Sequence, residues 1–233
     1  ELRILRKEMQ MIFQDPSSSI NPRRKIGEVL SEPFAIHDVK ENVSELIIEL
    51  LNQVGLSSNH ANRYPHEMSG GQLQRVGIAR AIALNPSLVV ADEPVSALDV
   101  SVQAQVVNLM IELKEKLGIS YLFISHDMGV VEYFCDRVAV MYLGKIVEIA
   151  SSEEIYKRPC HPYTEVLLNA VPGLESGKIK QKLKVLGDTP DPSTLSQGCS
   201  FHTRCPIKEK QCEEMEPTLK EVTSGHYVAC FLK

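Results

Sequence analysis

The sequence predicts an α/β protein with a parallel, helix-covered sheet, an inserted helical subdomain and a small cysteine-rich C-terminal extension. Three observations carry this prediction. Two apolar runs without alternation, Leu88–Ala91 and Ile119–Ile124, flank one helix-length stripe, the order that makes parallel strands. Residues 21 to about 80 open with a different texture at Asn21-Pro22-Arg23-Arg24 and, from Lys40, carry helical spacing, so they read as a helical subdomain. Four of the six cysteines fall between Cys199 and the C-terminus.

Composition sets outer limits. With 233 residues the chain is long enough to bury a real core, and 43% apolar with 24% charged residues is ordinary for a globular protein. A net charge of −5 removes any global argument for nucleic acid as partner. There is no membrane-length apolar run, and Glu1–Lys7 is not a signal peptide, so the expectation is a cytosolic chain that reaches a membrane only by docking.

Met9 to Phe13 reads as a buried strand stopped at Gln14-Asp15-Pro16, which puts Gln14 at a strand's C-terminal edge, where open α/β sheets place ligands. Val43, Leu46, Ile47, Leu50, Leu51 and Val54 follow helical spacing, with Gly55 as the stop. In Met68-Ser69-Gly70-Gly71-Gln72, Ser69 and Gln72 have capping-box spacing, so a helix starts there with bare amides that suit an anion. Leu88–Ala91 ends in Asp92-Glu93-Pro94. An aspartate at such an edge can hold Mg²⁺, and the adjacent glutamate can act as general base on a water. Asp99 or Ser101 should cap a helix whose stripe runs from Val102 to Leu117. The next strand ends in Ser125-His126-Asp127, where a histidine can sense a phosphate or an attacking water. Taken as strand–helix–strand repeats, Leu88 to Met141 predicts one parallel sheet, and Val138–Met141 with Ile146–Ile149 predicts a hairpin-like pair.

Gln14, Met68 to Gln72, Leu88 to Glu93, Ser96 to Asp99 and His126 together resemble, in order and approximate spacing, the ATP-binding subunits of ABC transporters. The resemblance implies a P-loop NTPase-like ABC ATPase core that uses ATP and Mg²⁺. It implies a Q-loop role for Gln14, sensing Mg²⁺ and the γ-phosphate and facing the transmembrane subunit. Ser69, Gly70, Gly71 and Gln72 are implied to be the signature that caps ATP held by an opposite subunit. Asp92 corresponds to the Walker B carboxylate on Mg²⁺, Glu93 to the base, Asp99 to the D-loop aspartate and His126 to the switch histidine. Met68 replaces the family's usual leucine, a volume-conserving change. No Gly-x-x-x-x-Gly-Lys-Ser/Thr occurs in the sequence, so the chain reads as an N-terminally truncated ATPase with negligible turnover by itself.

The stretches Val95 to Gln105, Tyr142 to Glu148 and His161 to Thr164 narrow the resemblance to dipeptide and oligopeptide importers, and within them to the second of two paired ATPases. This implies a paired ATPase, permease subunits, an indirect link to a peptide-binding protein, and a position on the inner face of the cell membrane. The expected domains are a partial core over 1–20, the helical subdomain over 21–80, the core over 81–172 and the extension over 173–233. Other cargo such as nickel stays open. Two alternatives also stay open: a soluble ABC-type ATPase of DNA repair or translation, and a non-enzymatic iron–sulfur regulatory module.

In the tail, alternating lysines from Lys178 to Lys184 predict an edge strand. Cys199, Cys205, Cys212 and Cys230 lack the close pairs usual in zinc sites. The resemblance implies a [4Fe-4S] site on these four, with zinc as the alternative. Cys135 and Cys160 read as small apolar residues, and His202 as a surface histidine, with a substitute ligand to the four-cysteine site as its alternative.

Overall fold

The computed structural model describes residues 2–171, 187 and 197–233, with Ser17 described by its backbone only. The lysine-rich segment expected as an edge strand lies outside the described residues. The chain divides into two compact units, Glu1–His126 and Asp127–Lys233. Among the described residues no helix is long and apolar enough to cross a membrane.

The first unit runs α1 (Leu2–Glu8), β1 (Met9–Ile12), α2 (Pro16–Ser19), α3 (Ile26–Ile36), α4 (Val43–Gln53), α5 (Gly70–Ile82), β2 (Leu88–Asp92), α6 (Val100–Leu117) and β3 (Ser120–Ile124). The strands form a parallel sheet in the order β1-β2-β3, in which Ile12 pairs with Ala91 and Asp92 with Ile124. Between β1 and β2 the described elements are all helical, as the periodicity predicts. Helix α4 buries Ile47, Leu50 and Leu51, each contributing roughly 1.5–3 kcal/mol. It ends in a left-handed Gly55 whose following amide, Leu56 N–H, bonds back to Leu51 O at 2.8 Å.

The sheet corrects one expectation. The apolar runs predict strands buried on both faces, yet burial alternates. Ile12, Val89 and Ala91 are sealed on one face, whereas Met9, Met11, Leu122 and Ile124 on the other are 52%, 38%, 55% and 45% exposed. A continuous apolar run suits burial on both faces, but burial itself requires a second covering layer. Among the described residues, α5 packs on β1 and on α6.

The second unit runs α7 (Met128–Phe134), β4 (Arg137–Tyr142), β5 (Lys145–Ser151), α8 (Ser152–Lys157), α9 (Pro162–Asn169), α10 (Lys210–Glu214), β6 (Lys220–Thr223) and β7 (His226–Val228). Its sheet is antiparallel, in the order β4-β5-β7-β6. Thus β4 does not extend the parallel sheet as expected. The two-residue turn Leu143-Gly144, with φ of 46° and 77°, folds it back on β5 as a hairpin, and β5's other edge is occupied by β7. The core packs Val140, Tyr142, Val147, Ile155 and Leu168 around Phe201.

Candidate functional site

Each parallel strand delivers one polar side chain to the same edge of the sheet. Gln14 follows β1, Glu93 follows β2 and His126 follows β3. Gln14 Nε2 donates to Glu93 Oε2 at 2.8 Å, and His126 Nδ1 lies 3.0 Å from Glu93 Oε1. Glu93 is thus held by both oxygens, although 79 and 33 residues separate it from its two partners. Its backbone is in the left-handed region at φ 43°, where a side chain carries strain. Glu93 N–H bonds to Ile124 O at 2.9 Å, and Ser96 N–H and Oγ–H both bond to Glu93 O. The His126 hydrogen bond holds the Glu93 carboxyl below its ordinary range. Desolvation opposes it, and His126's charge and the Ser96 and Gln14 contacts add to it.

Asp92 ends β2, on the face carrying Val90 and next to Glu93, so two adjacent carboxylates stand at the edge. Ser96 is the contributor that sequence reasoning passes over. Its position in a Pro-containing turn is legible, but its bond to the Glu93 carbonyl is not.

A second group forms where α5 and α6 begin. Ser69 Oγ accepts Gln72 N–H at 3.3 Å and Gln72 Oε1 accepts Ser69 N–H at 3.1 Å, the reciprocal cap that the spacing predicts. Asp99 caps α6 by accepting Val102 N–H at 3.1 Å and Ser101 Oγ–H at 2.8 Å. The Ser101 bond is the main cause of its lowered pKa. The two caps abut: a Cβ on Gly71 would lie 2.4 Å from Val102 Cγ1, and one on Gly70 3.7 Å from Leu98 Cδ2. Helix α5 also holds its neighbours. Arg75 Nη1 donates to Val54 O at 2.7 Å, and Arg80 Nη1 donates to Ser19 O at 2.8 Å, just past Gln14.

In the second unit Cys199, Cys205, Cys212 and Cys230 line one pocket with Phe201 and Phe231, and none is in a disulfide. Cys199 N–H bonds to Cys212 O at 2.8 Å. At Gly198, φ 108°, a Cβ would meet that carbonyl at 2.5 Å, so the loop closes tightly over the pocket. No three of the four sulfurs approach one another within 4.8 Å. Burial raises the thiol pKa of Cys199, Cys205 and Cys230. His202 is not the surface residue expected. It is buried, with Nδ1 2.7 Å from Cys199 O, because the turn before Cys205 folds it inward. Cys160 is not a bystander either, since its thiol lies beside Glu148 and His226.

Comparison with known proteins agrees with this geometry. Residues 1–96 match the family described as ABC transporter, and residues 147–212 match the oligopeptide/dipeptide transporter, C-terminal region. The oligopeptide transport ATP-binding protein AppF of Bacillus subtilis (strain 168) is 52% identical over 232 residues, covering 98% of this chain and 70% of that protein. A putative peptide import ATP-binding protein of Brucella ovis is also 52% identical, covering 99% and 73%. The dipeptide transport ATP-binding protein DppF of Haemophilus influenzae is 48% identical over 229 residues, covering 97% and 70%. With a carboxylate clamped at the edge of a parallel sheet and a capped glycine-rich helix start in the same unit, the chain belongs to the ATP-binding proteins of ABC-type oligopeptide and dipeptide transporters.

Proposed function

We propose that this chain is the ATPase subunit that energises peptide import, with Glu93 as its catalytic base. The observation that carries the reading is the Glu93 carboxylate, fixed by Gln14 and His126 and ionised at neutral pH. In this role Glu93 accepts the proton of the attacking water, and His126 orients the carboxylate and stabilises charge beside it. Asp92 and Gln14 would hold Mg²⁺, which supplies charge neutralisation on phosphate oxygens when bound. The amides at the start of α5, with Ser69, Gly70, Gly71 and Gln72, would close on ATP held by a paired ATPase, and Asp99 would lie at that subunit interface. The abutting caps of α5 and α6 support a joint role.

The proposal extends to the remaining organisation. Residues 21–80 form the helical subdomain, 1–20 and 81–172 the core, and 173–233 the importer-type extension. The chain acts in the cytoplasm on the inner face of the membrane with permease subunits, which a peptide-binding protein supplies. Four thiols in an apolar pocket suit a [4Fe-4S] group. Tetrahedral zinc with bonds of about 2.3 Å needs all four sulfurs about 3.8 Å apart, whereas no three of these four lie within 4.8 Å of one another.

The test is Glu93→Gln in a complete ATPase chain that also carries a Walker A loop, within the assembled transporter. ATP-driven closure of the ATPase pair should persist while turnover falls by about 100-fold or more, in line with the loss of general-base catalysis. Wild-type turnover in that variant would reject the assignment.

A further inference from the structure

Glu148 on β5 and His226 on β7 are polar residues in the second unit's interior, 0% and 2% exposed. Glu148 Oε1 accepts Cys160 N–H at 2.7 Å and lies 2.7 Å from His226 Nε2, and Oε2 accepts His161 N–H at 2.9 Å. The Cys160 thiol completes the cluster. Its Sγ, a carboxylate oxygen of Glu148 and a ring nitrogen of His226 all lie within 4.8 Å of one another. These three residues come from β5, the turn before α9, and β7, so only the fold assembles them.

The charge pattern favours a cation. Burial is the largest cause that raises the Cys160 thiol pKa; the charges of Glu148, Glu165 and Glu154 add to it, and Lys233 opposes them. A buried carboxylate and a thiolate together carry two negative charges, which one divalent ion neutralises. Oxygen, nitrogen and sulfur donors in one set suit zinc or a similar transition ion, whereas Mg²⁺ and Ca²⁺ prefer all-oxygen shells. The backbone amides of Cys160 and His161 already fix the carboxylate, as outer hydrogen bonds do for metal ligands. A groove lined by Arg137, Ser151, Glu154, Ser224 and Gly225 also touches His226.

We propose that Glu148, Cys160 and His226 form a divalent transition-metal site separate from the four-cysteine pocket. The ion takes the place of the hydrogen between Glu148 and His226. Cys160 gives up its proton to solvent, and His226 binds through Nε2 as a neutral ring with Nδ1 protonated. The fourth position is left to water on the half-buried Cys160 side. The site joins β5 to β7 and to His161, which lines the four-cysteine pocket, and so braces that pocket from outside.

The experiment titrates Co²⁺ into the full chain under anaerobic conditions, comparing wild type with Cys160→Ser. That substitution keeps the Glu148–His226 pair and all four pocket cysteines. Wild type should bind one more equivalent and show stronger thiolate-to-cobalt absorption. The variant should bind at this site weaker than wild type by more than the roughly 10–100-fold that losing an outer partner costs. Equal equivalents and equal spectra would overturn the proposal and leave Glu148–His226 as a metal-free pair. His226→Gln is the second variant and should lose the same equivalent while folded by far-UV circular dichroism; retention of that equivalent would also overturn the site.

Discussion

Gly71→Ala tests whether the helix start at Ser69 and the cap at Asp99 are mechanically one object. The added Cβ would lie 2.4 Å from Val102 Cγ1, where carbon atoms prefer about 3.5–4.0 Å, so roughly 1 Å or more of relief is required. Val102 is β-branched and sits in the first turn of α6, where essentially one χ1 rotamer is favoured. It can yield only by going off-rotamer or by moving the helix, and overpacking of this kind costs about 1–3 kcal/mol. Alanine's helix preference over glycine offsets up to about 1 kcal/mol. The net expectation is a loss of about 1–2 kcal/mol. In a Val102→Ala background the clash disappears, and the same Gly71→Ala change should become stabilising by about 0.5–1 kcal/mol. Urea unfolding followed by far-UV circular dichroism measures the four species of this cycle; the chain has no tryptophan to report by fluorescence. A stabilising Gly71→Ala in the wild-type background, or a coupling within experimental error of zero, would refute the argument.

Two further predictions concern the same unit. His126→Ala removes the main cause of Glu93's lowered pKa, so the carboxyl should titrate at a higher pH, read directly by ¹³C NMR of the labelled side chain. Because the folded pKa is depressed, the stabilisation from ionised Glu93 is present above the unfolded value near 4.5 and lost as pH falls through the folded value; the variant should lose part of this acid-side slope. An unmoved Glu93 titration would count against His126 as its partner. Ser69→Ala should cost about 1 kcal/mol through the lost cap, while Ser69→Thr, which keeps an accepting hydroxyl, should cost only a fraction of that. Equal losses in the two variants would mean that the cap is not what Ser69 supplies.

Local chemistry explains which parts were legible in sequence. The Ser69–Gln72 box and the Asp99 cap are interactions between residues three apart, so spacing alone determines them. The Leu143-Gly144 turn and the α4 stop are equally local. Strand ends at Gln14, Glu93 and His126 were legible as ends, because a polar residue terminates each apolar run. Their meeting on one carboxylate is a property of parallel register, in which β1, β2 and β3 end at the same edge. Covering layers were not legible: the same apolar pattern is compatible with a sheet buried on one face or two.

By itself, then, the amino-acid order determined the caps, the turns, the strand ends and the residue types at the sheet edge, since each depends on neighbours a few positions away. Tertiary structure alone decided that Glu93 is clamped by both oxygens, that Val102 presses on Gly71, and that β7 rather than a parallel strand pairs with the other edge of β5. It likewise decided that Glu148 and His226, both buried and 78 residues apart along the chain, share one cluster with the half-buried Cys160. Contacts of that range depend on how whole elements pack, and packing is set by buried area and backbone hydrogen bonding across the unit rather than by any local pattern.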